Sequence, residues 1–136
     1  MRLTKILLCF MAISLFSFTT LNKTGTATTG PWKFIADKWV SWGVDHDVIL
    51  MGNVNDDFRQ LKLKVTDGPL KMYDMKVHFD NGEVQDISIR TLIRQGGESR
   101  VIDLNGGLRH LSKIEFWYET KGFLRGKARV AVWGRK

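Results

Sequence analysis

From Trp32 onward, apolar and polar residues alternate with a period of two, and turn-forming residues interrupt the alternation every eight to twelve positions. That rhythm predicts strands near 32–42, 47–52, 58–66, 70–79, 84–92, 98–104, 111–120 and 127–134. The fold class that follows is all-β: a single antiparallel β-sandwich of about eight strands, jelly-roll-like. Helix is confined to single turns, because no stretch of a dozen residues avoids Gly, Pro or β-branched alternation.

Side-chain parity sets the register of the clearest hairpin, 70–79 to 84–92 across Asp80-Asn81-Gly82. A two-residue Asn81-Gly82 turn would pair Lys76 with Ile87. A three-residue loop with Gly82 in the left-handed region instead sets Met75 opposite Ile87 and Tyr73 opposite Ile89. Burial selects the second register, with Tyr73, Met75, Val77, Phe79, Ile87 and Ile89 inward and Lys71, Asp74, Lys76 and His78 outward.

The same parity turns Ile114, Phe116 and Tyr118 inward and Lys113, Glu115, Trp117 and Glu119 outward. In the last strand Ala128, Val130 and Val132 point inward, whereas Lys127, Arg129, Ala131, Trp133 and Arg135 point outward. If Gly122 and Gly126 bound a hairpin loop, Trp117 and Trp133 share one sheet face within diagonal reach, rimmed by Lys113 and Arg129. Such a platform would stack on a sugar ring, and its bases would suit an acidic or neutral glycan. The competing expectation is a second small core, with the indoles covered by segment 32–42 or loop 122–126, the commoner fate of large aromatics.

Composition changes this picture through the first 27 residues. Arg2 and Lys5 precede an apolar run from Ile6 to Phe18, and Gly25 with Ala27 supply small residues for cleavage. We read 1–27 as a cleaved signal peptide, 28–31 as a flexible leader and 32–136 as the sandwich. The expected location is periplasmic or extracellular, with no stable membrane insertion once the signal is removed, since the apolar run is too short to span a bilayer. Cys9 lies inside that run after Leu7 and Leu8, where a lipid-attachment site would want small residues, so lipidation is rejected. Cleavage removes three of the 21 bases and no acid, so 18 bases face 14 acids. It also removes the only cysteine, leaving a domain held by core burial alone. The modest remaining basic excess and the export signal argue against nucleic acid as a partner.

Other candidate chemistry is sparse. Asp45, His46 and Asp47 could bind a divalent ion or form a proton-transfer pair, but adjacent residues of an extended chain face opposite ways, and a polar turn is the ordinary reading. Asn53, Asn55 and Asp57 have the 1, 3, 5 spacing of a calcium loop, yet Phe58 replaces its Gly and Lys64 its bidentate Glu. His78 and His110 lack metal-ligand spacing, and Ser88 and Ser99 lack a nucleophile motif. Gly96-Gly97 and Gly106-Gly107 have no helix to follow and do not read as a phosphate loop. Arg100 and Arg109 flank Asp103, either as ion pairs that pin a turn or as an arginine pair for a carboxylate or phosphate.

The order Phe79-x-Asn81-Gly82, Ser99-Arg100-x-Ile102-Asp103-Leu104-x-Gly106-Gly107-x-Arg109, Ile114-x-Phe116-x-Tyr118 and Ala128-x-Val130-x-Val132-x-Gly134 resembles small exported bacterial β-sandwich domains of uncharacterised function. The resemblance spans about residues 32 to 135 and implies a bacterial envelope protein. It carries no catalytic residue across, because its motifs specify strands and turns.

The resulting expectation is an exported, non-catalytic binding module without cofactor or metal. Its favoured partner is an envelope or extracellular glycan held by Trp117, Trp133, Lys113 and Arg129, with Arg100 and Arg109 as an anion site. The alternatives are a structural or assembly protein of the envelope that self-associates through a strand edge or aromatic patch, and a hydrolase or metal-dependent enzyme centred on Asp45, His46 and Asp47.

Overall fold

A computed structural model describes residues 30–40, 43–52, 56–120 and 127–136. Residues 1–29, Cys9 among them, as well as Trp42, Asn53, Asn55, Gly122 and Gly126, lie outside the described residues. The described chain forms β1 (Lys33–Val40), β2 (Val44–Leu50), β3 (Asp57–Phe58), β4 (Gln60–Thr66), β5 (Leu70–Phe79), β6 (Val84–Ile93), β7 (Ile102–Asp103), β8 (Arg109–Glu119) and β9 (Ala128–Arg135). One sheet has the order β1-β9-β4-β7 and the other β2-β8-β5-β6, with β3 pairing β8 off that path. The partners β1–β9, β2–β8, β4–β7 and β5–β6 nest inside one another around the β5–β6 hairpin, the jelly-roll arrangement.

Alternation along the central strands supplies the core. Leu61, Leu63 and Val65 from β4 and Val130 and Val132 from β9 face Met75 and Val77 from β5 and Ile114, Phe116 and Tyr118 from β8, all almost fully buried. The expected β5–β6 register holds from Asp74 to His78, with Met75 opposite Ile87, and shifts by one residue before Asp74, so Tyr73 does not oppose Ile89. Phe79 N–H donates to Glu83 O at 2.9 Å, and Gly82 adopts φ +88°, the left-handed turn that the three-residue loop requires.

Two expectations need correction. Tyr73 does not join the inner face: a bulge between Met72 and Asp74 turns it outward, where its hydroxyl donates to the Glu119 carboxylate. The strand expected at 98–104 is two short pieces. Segment 96–99 pairs with the upper half of β4 through Gly96 N–H to Val65 O (2.7 Å) and Ser99 N–H to Leu63 O (2.8 Å), and β7 takes the lower half. Ser99 is structural, its Oγ accepting the Leu63 N–H at 2.9 Å.

The edge strands β1 and β2 lie across from each other in opposite sheets. Lys38 sends its ammonium inward between them, 2.7 Å from Asp47 Oδ1 and 3.2 Å from the Val48 carbonyl. The buried Tyr118 hydroxyl donates to the other Asp47 oxygen at 2.7 Å. A charge that points inward at a sheet edge discourages another strand from adding there.

At the chain's ends, Asp56 accepts from Lys33 (2.9 Å) and Lys136 (2.7 Å), tying β1 to the C-terminus. These two ammonium groups, Lys136 first, hold the Asp56 carboxyl far below its ordinary 3.8. A depressed carboxylate stabilises the fold fully above its ordinary value, and that contribution is lost as pH falls through the depressed one. In thermal melts from about pH 6 to about pH 2, Asp56→Asn should therefore lower stability at neutral pH and flatten the acid-side decline. Equal acid slopes for the variant and the parent would contradict this. The core sets two further expectations for chemical denaturation. Phe116→Ala should cost about 3–5 kcal/mol. Gly68→Ala, whose Cβ would stand 2.1 Å from the Lys127 carbonyl oxygen, should cost about 1–3 kcal/mol.

Candidate functional site

The inward side chains fix what each sheet shows to solvent. On the four-stranded sheet, pairing aligns three successive outer rows: Phe34–Trp133–Lys62, Asp37–Ala131–Lys64 and Trp39–Arg129–Thr66. Ala131 is small and sits between two rows with large side chains, which leaves an open groove of about 230 Å³ bounded by Phe34, Trp133, Lys64 and Arg129. Phe34 meets Trp133 edge-on with ring centroids 5.7 Å apart. Arg129 pairs with Asp37, and its guanidinium lies 5.9 Å from the Trp39 ring centre. Trp32 extends the patch, with Lys62 and Arg135 at 4.6 Å and 4.5 Å from its ring centre. Lys62 pairs with Glu98 at 3.0 Å, whereas Lys64 has no acidic partner among the described residues. The Trp133 indole N–H is buried without an acceptor among the described residues.

On the five-stranded sheet, one outer row runs His46–Trp117–Asp74–Ser88 and the next Val48–Glu115–Lys76–Asp86. His46 stacks on Trp117, with centroids 4.5 Å apart and planes 21° from parallel. Glu115 draws three cationic or ionisable groups: Lys113 at 3.2 Å, His78 at 3.4 Å and His46 at 3.6 Å. The Lys113 ammonium holds the Glu115 carboxyl below its ordinary range against the opposing effect of burial, with a smaller contribution from the histidines. His78 Nε2 is buried and lacks hydrogen-bond geometry to any partner among the described residues.

These placements divide the expected platform. Trp117 and Lys113 lie on one outer face, and Trp133 and Arg129 on the opposite one, because nesting pairs β8 with β2 and β5 but β9 with β1 and β4. Residues 32–40 do not form a cover over both indoles. Their strand β1 lies beside β9 in the same sheet, so Phe34 covers only an edge of Trp133 and adds its own exposed ring.

Arg100 and Arg109 form no pair, and neither binds Asp103, which accepts from Gln60 at 2.6 Å. Arg109 is taken up by the β5–β6 turn: it donates to Glu83 (2.6 Å) and Asn105 O (2.7 Å) and covers the Phe79 ring at 3.8 Å. Arg100 instead donates to Ser88 O on the β6 edge at 3.1 Å. Asp45, His46 and Asp47 do not converge, since His46 faces outward onto Trp117 while Asp47 points inward to Lys38. Asp57 lies 3.3 Å from His110 Nδ1. No cluster of three metal-ligating residues occurs among the described residues.

Phe34, Trp39 and Lys64 were missed, and a bulge between Phe34 and Ala36 explains two of them. The bulge shifts the outward parity of β1 from even positions (Trp32, Phe34) to odd ones (Asp37, Trp39), so strict alternation scatters one face over two.

None of the curated proteins matches the chain. Among solved structures, Pseudomonas aeruginosa AlgX is 16% identical over 76% of this chain, with a TM-score of 0.45, and the chain spans only 27% of the AlgX structure. The SPBc2 prophage-derived protein YomS is also 16% identical, over 78% of this chain and 92% of its own, with a TM-score of 0.39. The family model described as a domain of unknown function, DUF2541, matches residues 8–134, nearly the whole chain, and the protein belongs to that family.

Proposed function

We propose that this DUF2541 domain is an exported, non-catalytic module that binds an extended glycan on the outer face of its four-stranded sheet. The observation that supports the reading is the exposure of Phe34 (52%) and Trp39 (57%) on the face that also carries Trp133. Leaving such rings in water forgoes burial worth about 1.5–3 kcal/mol for each large side chain, so a grouped set marks a surface that something else covers. The C–H faces of a pyranose are apolar while its rim is hydroxylated, which matches rings interleaved with Lys64, Thr66 and the Arg129–Asp37 pair. Phe34 and Trp39 are five positions apart, roughly 15 Å along a strand, so one ligand touching both is a chain rather than a single ring. Lys64, cross-strand from Glu98 but in no ion pair among the described residues, is placed to meet a carboxylate on that chain.

Affinity electrophoresis through a polysaccharide panel tests the reading. At least one polymer should retard the protein, and Trp39→Ala or Phe34→Ala should weaken retardation about tenfold. Leu50→Ala, an exposed change on the other sheet, should leave it intact. Lys64→Gln should weaken binding only to polymers that carry carboxylates. Retardation indifferent to Trp39 and Phe34, or no retardation by any polymer, would sink the proposal.

A further inference from the structure

The five-stranded sheet carries a separate concavity of about 340 Å³ beside Trp117, at the small end of the range for small-molecule sites. Besides the indole, its lining comes from β5 and β6, with Asp74, Lys76, Asp86 and Ser88 as the polar groups. His46 on β2 stacks on the opposite side of Trp117, so the ring is braced from behind and turns its other face toward the cavity. That arrangement makes a rigid aromatic wall. The bulge beside Asp74 and the left-handed Arg90, φ +45°, set the strands' outer side chains locally out of regular alternation, a common feature next to binding sites.

The rim decides the chemistry of the occupant. Asp74 and Asp86 are 48% and 77% exposed and meet Arg90 and Lys76 only at 3.7 Å and 3.5 Å, beyond good hydrogen-bond distance. Exposed pairs of this kind hold their partners weakly, so the carboxylates remain open to donors. Each carboxylate has one cation nearby, Lys76 within the lining for Asp86 and Arg90 beyond the lining for Asp74, so neither stands uncompensated toward a ligand. What they do supply, together with Ser88, is donors and acceptors in alternation beside an apolar wall. The geometry points to a second binding site, for one neutral, hydroxyl-rich ring such as a hexose, stacked on Trp117 with vicinal hydroxyls on Asp74 and Asp86. It goes beyond the glycan face described above and stands on different residues in the other sheet.

Indole N–H signals in ¹⁵N-labelled protein, assigned by single Trp→Phe replacements, separate the two faces. Titration with glucose, galactose and mannose should shift the Trp117 signal saturably for at least one of them. Asp86→Asn, an exposed change that leaves the sheet intact, should weaken or abolish that response by about tenfold or more. A response confined to Trp39 or Trp133 would overturn this inference while supporting the glycan face. Tetramethylammonium shifting Trp117 where no hexose does would overturn it in favour of a cation site, and silence of the Trp117 signal toward every hexose would overturn it outright.

Discussion

The apolar layer between the sheets, built from Leu61, Leu63, Val65, Val130 and Val132 on one side and Met75, Val77, Ile114 and Phe116 on the other, sets the register of the four central strands. A slip of one residue in any of them would carry its whole apolar set into water, a loss of several kcal/mol that no outer-face contact could offset. Outward residues are therefore positioned by their neighbours' burial rather than by their own attractions. The rows that unite Phe34 with Trp133 and Trp117 with Asp74 are consequences of that packing.

Nesting then divides the outward residues between two surfaces of different character. The four-stranded face places large rings at both ends of a groove floored by Ala131 and suits an elongated ligand. The five-stranded face gathers its polar groups around one braced indole and suits a compact one. Between the faces, the inward Lys38–Asp47–Tyr118 cluster shields one open edge, and Arg100 and Gln85 cover the other by bonding to β6 and to the Asp103 carbonyl. Both edges are thereby less available for strand addition.

Much of this was legible in the sequence where the determinants are local. Period-two alternation located the long strands and sorted β8 and β9 by face, and burial parity across Asp80-Asn81-Gly82 selected the β5–β6 register. Which sheet each strand enters was not legible. β1 and β9 meet across almost the whole domain, and alternation says nothing about a distant partner. Trp117 and Trp133 were consequently placed together by their nearness in sequence. Bulges caused the remaining errors: Tyr73 and the aromatics of β1 change face where one extra residue interrupts the alternation. Arg109 does pin a turn by an ion pair, but its partner is Glu83, distant in sequence, rather than the nearby Asp103.

The account turns on the sheet to which β9 belongs, and disulfide trapping asks that question directly. In a chain carrying Cys9→Ser, the pair Phe34→Cys/Trp133→Cys and the pair Trp117→Cys/Trp133→Cys would be oxidised under the same mild conditions and their free thiols counted. Bridging needs Cα atoms within about 7 Å. Directly opposed residues of neighbouring strands satisfy that limit, whereas residues on opposite outer faces, with two sheets about 10 Å apart between them, do not. The first pair should close within the monomer and the second should stay reduced. Closure of the Trp117/Trp133 pair, with the Phe34/Trp133 pair left open, would contradict the account.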